Sequence, residues 1–178
     1  AEVLPANSWS VGAFSVDLDE VFPDRYCFSY GLPGGMELNV IKYVPDDEEE
    51  ETLLSGKYQI FPETKDKPAL AVGVFDVTEE RETTVYLVAS RTLSDSFEVR
   101  KRRVFETIGH IGVGGGRLEG IFAGVEFVLA PSFRVIGEYD TDDFNIGIKI
   151  LANDKLAITG AVLDLDRLGV GISFKEDF

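Results

Sequence analysis

The sequence predicts an all-β fold: an antiparallel up-and-down transmembrane β-barrel of about twelve strands with short turns. Three observations carry this. Large apolar residues recur at every second position over long stretches, as in Phe144, Ile146, Ile148 and Ile150, or Leu168, Val170, Ile172 and Phe174. The positions between them hold charges and small residues, including Glu126, Glu138, Asn145, Lys149, Thr159, Ser173 and Lys175. Compact turn chemistry then breaks the chain at regular intervals. Period-two alternation is the mark of a strand with two unlike faces. Oil on one face and paired-looking charge on the other suit a barrel with a lipid-facing outside and a polar lumen.

In chain order the strands are expected near Ser8–Leu18, Arg25–Gly31, Gly35–Val44, Thr52–Phe61, Ala69–Val77, Thr83–Thr92, Val104–Val113, Gly120–Leu129, Phe133–Tyr139, Phe144–Leu151, Lys155–Leu163 and Leu168–Lys175. Most are long enough for a tilted strand to cross a bilayer, which takes ~9–11 residues. Leu32-Pro33-Gly34, Gly114-Gly115-Gly116, Ala130-Pro131-Ser132, Thr141-Asp142-Asp143, Asn153-Asp154 and Asp164–Arg167 supply the turns. Several are too short for anything but antiparallel hairpins. Tyr26, Phe28 and Tyr30 share a face, as do Leu54, Tyr58 and Ile60, and Leu70, Val72 and Val74. Aromatics near strand ends (Trp9, Tyr43, Phe61, Phe127, Phe133, Tyr139, Phe144 and Phe174) are expected to form girdles at two bilayer interfaces.

The chain has 178 residues and no Pro/Ser-rich linker, so residues 1–178 are read as one barrel domain. A formal charge of −15 makes nucleic acid a poor partner. One cysteine, Cys27, excludes an internal disulfide framework, and one histidine excludes a multi-histidine zinc site. No run of ~18 apolar residues exists, so no transmembrane helix is expected, which says nothing against a barrel. A start at Ala1-Glu2 without Met is what signal-peptide removal would leave.

Pro68-Ala69-Leu70-Ala71-Val72-Gly73-Val74-Phe75-Asp76, Tyr86–Ser90, Phe122-Ala123-Gly124-Val125-Glu126 and Gly137-Glu138-Tyr139-Asp140 followed by Phe144-Asn145-Ile146-Gly147 together resemble the YjbH-like barrels. That is a Gram-negative outer-membrane family linked to exopolysaccharide export. The resemblance implies a barrel fold, an outer-membrane location and polysaccharide as a possible partner. The terminal aromatic Phe178 resembles the signal read by the barrel-insertion machinery.

The alternation places Glu106, His110, Glu126, Arg134, Glu138, Asp140, Lys149 and Lys175 on the inner face, where they form the candidate pore lining. Charges away from water must be paired, so a network across the lumen is expected. Glu106 lies four residues before His110 and shares its face, which makes a His–Glu pair an option. Asp46, Asp47, Glu48 and Glu49 belong to an acidic run in the longest connector and form a weak candidate for a divalent-cation loop. Arg100–Arg103 is a basic cluster in another connector. Gly112–Arg117 lacks the Gly-Lys-Ser/Thr ending of a phosphate loop and is read as a hairpin turn. Two carboxylates suffice for glycoside hydrolysis, but nothing sets the Glu126–Glu138 separation, so no catalytic residue is assigned.

The expected function is a structural or narrow passive channel of the outer membrane for small polar solutes, assisting polysaccharide export if the resemblance holds. The lipid bilayer and barrel-insertion machinery are its expected partners, with homo-oligomers allowed. No enzyme activity and no cofactor are implied. Two alternatives differ in where the oil points: a soluble β-barrel binding an apolar ligand would put it inside, and a self-assembling envelope subunit would bury it against further copies.

Overall fold

Alternation closes the chain into one barrel. A computed structural model describes residues 1–16, 24–44, 49–94, 97–99, 102–104 and 106–177. The strands are β1 (Trp9–Val16), β2 (Arg25–Leu32), β3 (Met36–Tyr43), β4 (Glu51–Phe61), β5 (Ala69–Phe75), β6 (Thr84–Ser94), β7 (Phe97–Val99), β8 (Arg102–Val104), β9 (Glu106–Gly114), β10 (Gly120–Ala130), β11 (Phe133–Tyr139), β12 (Phe144–Leu151), β13 (Leu156–Leu163) and β14 (Arg167–Glu176). Twelve of them form a closed barrel, in the order β1-β14-β13-β12-β11-β10-β9-β6-β5-β4-β3-β2. Every pairing is antiparallel, and β7 with β8 makes a separate two-stranded ribbon between β6 and β9.

The expected strands agree with the barrel strands to within a residue or two at most ends. The differences are local. The basic cluster falls on the β7–β8 ribbon, with Arg100 and Lys101 outside the described residues. The glycine run ends in a single 3-10 turn, Gly116–Leu118, rather than a simple hairpin turn.

Side-chain parity decides the oil question. Ile146, Ile148 and Ile150 of β12 are 49%, 42% and 43% exposed, while Lys149 between them turns the other way. Val11, Phe28, Leu38, Leu54, Leu87, Ile111, Ile121, Phe127, Val170 and Ile172 continue the exposed apolar belt around the barrel. A soluble barrel requires the opposite arrangement, so the structure runs against that alternative. Trp9 and Phe174 meet on the outside at 5.7 Å near one rim, and Tyr139 and Phe144 at 4.9 Å near the other. Tyr43 departs from the girdle expected of it. It alternates with Lys42 onto the inner face, where Arg25 and Arg81 stand over its ring at 4.7 and 4.0 Å.

The interior is packed in places. The rings of Tyr86 and Phe122 lie against Gly73 and Gly112, so tightly that a Cβ at either glycine would overlap a ring. The two rings meet edge-on at 6.2 Å. Beside them Ala69, Ala71 and Val88 form a small buried cluster with Ala1. β1 starts and β14 ends at one rim, where Trp9 stands opposite Glu176, here called the terminal rim. The opposite ends, where β1, β3, β5, β9, β11 and β13 finish, form the far rim.

Candidate functional site

The site is the interior surface, which divides by height. At the far rim a cavity of about 440 Å³ is lined by Arg25, Tyr43, Arg81 and Arg117 on one side and by Asp140, Asp142, Asp143 and Asp164 on the other. Arg25 comes from β2 and Arg117 from the 3-10 turn, whereas the aspartates come from the β11–β12 and β13–β14 connectors. Arg167 of β14 lines the same cavity beside its ion-pair partner Asp164, so the separation of charge across this mouth is incomplete.

Arg81 owes its place to a folded connector. Asp76 is fully buried, at 0% exposure, with a left-handed φ of 57°. Its carboxylate accepts hydrogen bonds from the Thr78 hydroxyl and the Arg81 backbone N–H, both at 2.5 Å. Its carbonyl accepts from the Thr83 hydroxyl at 2.7 Å, and its own N–H donates to Ser55 Oγ at 3.2 Å. The Arg81 side chain then reaches Glu51, the first residue of β4. Burial alone would push the Asp76 carboxyl up; the hydrogen bonds from Thr78, Arg81 and Glu80 outweigh it and hold it below the ordinary value of 3.8. A carboxyl held below its unfolded pKa stabilises the fold above that unfolded value, and this is lost as pH falls through the folded one. Ordering of residues 76–83 should therefore persist at pH 5 and decline only below about pH 4. Asp76→Ala should cost about 1–3 kcal/mol and release Arg81 at every pH. Proteolysis of this connector as a function of pH, with and without the substitution, checks both.

At the same rim Asp143 is pushed up, by desolvation first and then by repulsion from Asp164, Asp140 and Asp142. Asp143 therefore gains a proton before an isolated aspartate does.

Each residue expected in the lining has a definite place. Glu126 of β10 and Arg134 of β11 form an ion pair at 2.6 Å. Lys149 of β12 is the register partner of Arg134, and Lys149 feels the charges of Arg134, Glu126 and Lys175. His110 of β9 shares a 2.7 Å hydrogen bond with Ser90 of β6 rather than with Glu106, which is exposed at the strand's start. Glu138, His110, Phe122 and Gly124 line a second cavity of about 220 Å³. Asp140 accepts a hydrogen bond from Asn145 Nδ2 at 3.0 Å and belongs to the mouth. Lys149, Lys175 and Glu138 make no ion pair among the described residues.

The expected network across the lumen is replaced by pairing along the wall. Neighbouring strands are about 4.8 Å apart, within reach of a side chain, whereas the opposite wall of a twelve-stranded barrel is not. In the acidic run, Asp46, Asp47 and Glu48 lie outside the described residues and Glu49 is exposed. Glu50 pairs with Lys42 at 2.6 Å and Glu51 with Arg81, so those two carboxylates are already matched. Arg25, Arg81 and Arg117 were missed in the sequence, although Arg25 shares parity with Cys27 on the inner face. Placing the other two needs the connector geometry.

No family model matches the chain, and neither does any curated protein. Among solved structures it is similar to a KdgM porin, with TM-score 0.59 and 9% identity over 96% of this chain and 99% of that one. A KdgM porin in complex with disordered oligogalacturonate gives the same TM-score, identity and coverage. The chain thus has the fold of these porins at an identity too low to say more.

Proposed function

We propose that the protein is an outer-membrane barrel that passes small polar solutes passively through a narrow, charged lumen. One observation carries this: a closed barrel with its large apolar side chains outside and its charges inside. Such a surface is stable in hydrocarbon, and such a lumen holds water. With an even strand number the terminal rim faces the periplasm and the arginine–aspartate mouth faces outward. The porin fold supports a passage rather than an enzyme. One of those porins holds oligogalacturonate. The cations Arg25, Arg117, Arg134, Lys149 and Lys175 suit acidic saccharides among the polar solutes. The YjbH-like motifs add polysaccharide export as a finer reading, tested by exopolysaccharide output of a deletion strain. The acidic run that includes Asp46–Glu49 remains a proposed cation loop.

Fractionation tests the main reading. The native protein should need detergent for extraction and should shift in gel mobility on boiling. It should also give small, stable conductance steps in planar bilayers. A monodisperse protein in plain buffer would overturn it.

A further inference from the structure

The segment Ala1–Ser8, before β1, has an exposed turn at Pro5, Ala6 and Asn7 and runs from there to a buried Ala1 inside the barrel. Ala1 is buried among Ala69, Ala71 and Val88, with Tyr86 and Phe122 packed on the same cluster. Gln59 Nε2 donates to the Ala1 carbonyl at 3.2 Å, and Lys57 Nζ to the Glu2 carbonyl. The Leu4 N–H donates to Glu37 at 2.7 Å. Asn7 N–H donates to the Gly31 carbonyl at 2.8 Å, and Gly31 N–H to the Ser8 carbonyl at 2.9 Å. The segment passes Gly31 so closely that a Cβ there would overlap the Pro5 carbonyl.

All these anchors belong to β2, β3, β4, β5, β6 and, past β9, to β10, one arc of the wall. None comes from β11 to β14. That uncovered arc carries Arg134, Lys149, Thr159, Ser173 and Lys175. The small residues Ala69 and Ala71 sit behind the segment together with its polar anchors Glu37, Lys57 and Gln59, and the facing arc carries the cations Arg134, Lys149 and Lys175 along with Glu138.

We infer that residues 1–8 form an internal strap that occludes half of the lumen and confines solutes to the cationic arc, and that it can be displaced. The strap is held by single side-chain hydrogen bonds, by two backbone hydrogen bonds to Gly31 and by one alanine-lined cluster rather than by continuous strand pairing. Segments held this way open well below the free energy of global unfolding. The inference rests on the channel reading for its effect on solutes, but not for the strap itself.

Two variants on the full chain test it. Gly31→Val pushes the strap off β2, and Glu37→Ala with Gln59→Ala removes two anchors without crowding β2. Conductance of either should rise about twofold or more over the unaltered barrel. A second readout does not need conduction. Ser90 is 4% exposed beneath the strap. In a Cys27→Ser background, Ser90→Cys should react slowly with a small thiol reagent, and about tenfold faster when either variant is added. Conducting barrels with unchanged conductance in both variants would overturn the inference. If no form conducts, the channel reading fails and alkylation decides: fast reaction without the variants overturns the strap, and protection lost in the variants upholds it.

Discussion

Arginine in place of Ile148 should destabilise the folded barrel in a bilayer by about 2–4 kcal/mol, the cost of a cation on the lipid face near the midplane. Ile148 lies mid-strand in β12, between Val135 and Gly160 on its neighbours, and points outward. Lys149→Gln, one residue on, should change stability by no more than about 0.5 kcal/mol, because that side chain faces the lumen and has no ion pair to lose. Denaturant titration of barrels folded into lipid vesicles measures both. Adjacent positions would then obey opposite rules, which only a wall between oil and water imposes. Equal, small effects would mean that the apolar belt meets water or another copy of the protein.

The second large effect concerns selectivity. Lys149→Glu combined with Lys175→Glu should turn the solute path on the β11–β14 side from cationic to anionic. It leaves the Arg134–Glu126 pair intact. Fixed charges lining a narrow passage set which ions enter. The anion-to-cation permeability ratio should fall several-fold, on the order expected for replacing a ring of one sign by the other. Reversal potentials in a salt gradient report it. A control at Lys65, in the β4–β5 connector, should leave the ratio unchanged. An unchanged ratio in the double variant would place the selective step elsewhere, at the far-rim mouth.

Much of the barrel was legible in the sequence because a lipid-facing strand imposes the strictest alternation a soluble-looking composition can carry. Ile146, Ile148 and Ile150 against Asn145, Gly147 and Lys149 state the inside and outside directly. The same parity placed Arg134 and Glu126 inside, though not against each other, since register depends on the turns. Tyr43 shows the limit of reading residue type before parity: as an aromatic near a strand end it counted toward a girdle, yet it shares its face with Glu37 and Asn39 and sits inside. The strap was illegible for a different reason. Ala1–Ser8 has no periodicity, and its destination is written on Gly31, Glu37, Gln59 and Ser90, which lie in four different strands. Arg81 likewise depends on Asp76, whose buried carboxylate folds a connector that composition alone marks only as polar. The β7–β8 ribbon hides in a run of charge.

The closure of the barrel bears on how it forms and fails. Every pairing in it joins strands that follow one another in the chain, with the β7–β8 ribbon set between β6 and β9, except that of β1 with β14, aligned from Trp9 opposite Glu176 to Val16 opposite Gly169. Hairpins between successive strands have low contact order and form early, whereas this seam must wait for nearly the whole chain. It is also the one pairing whose two strands no connector joins, so the edges freed by its loss are not tethered to each other. The seam is therefore the slow step of assembly and the natural point of first opening, and the Trp9–Phe174 contact on its outer side is a latch on both.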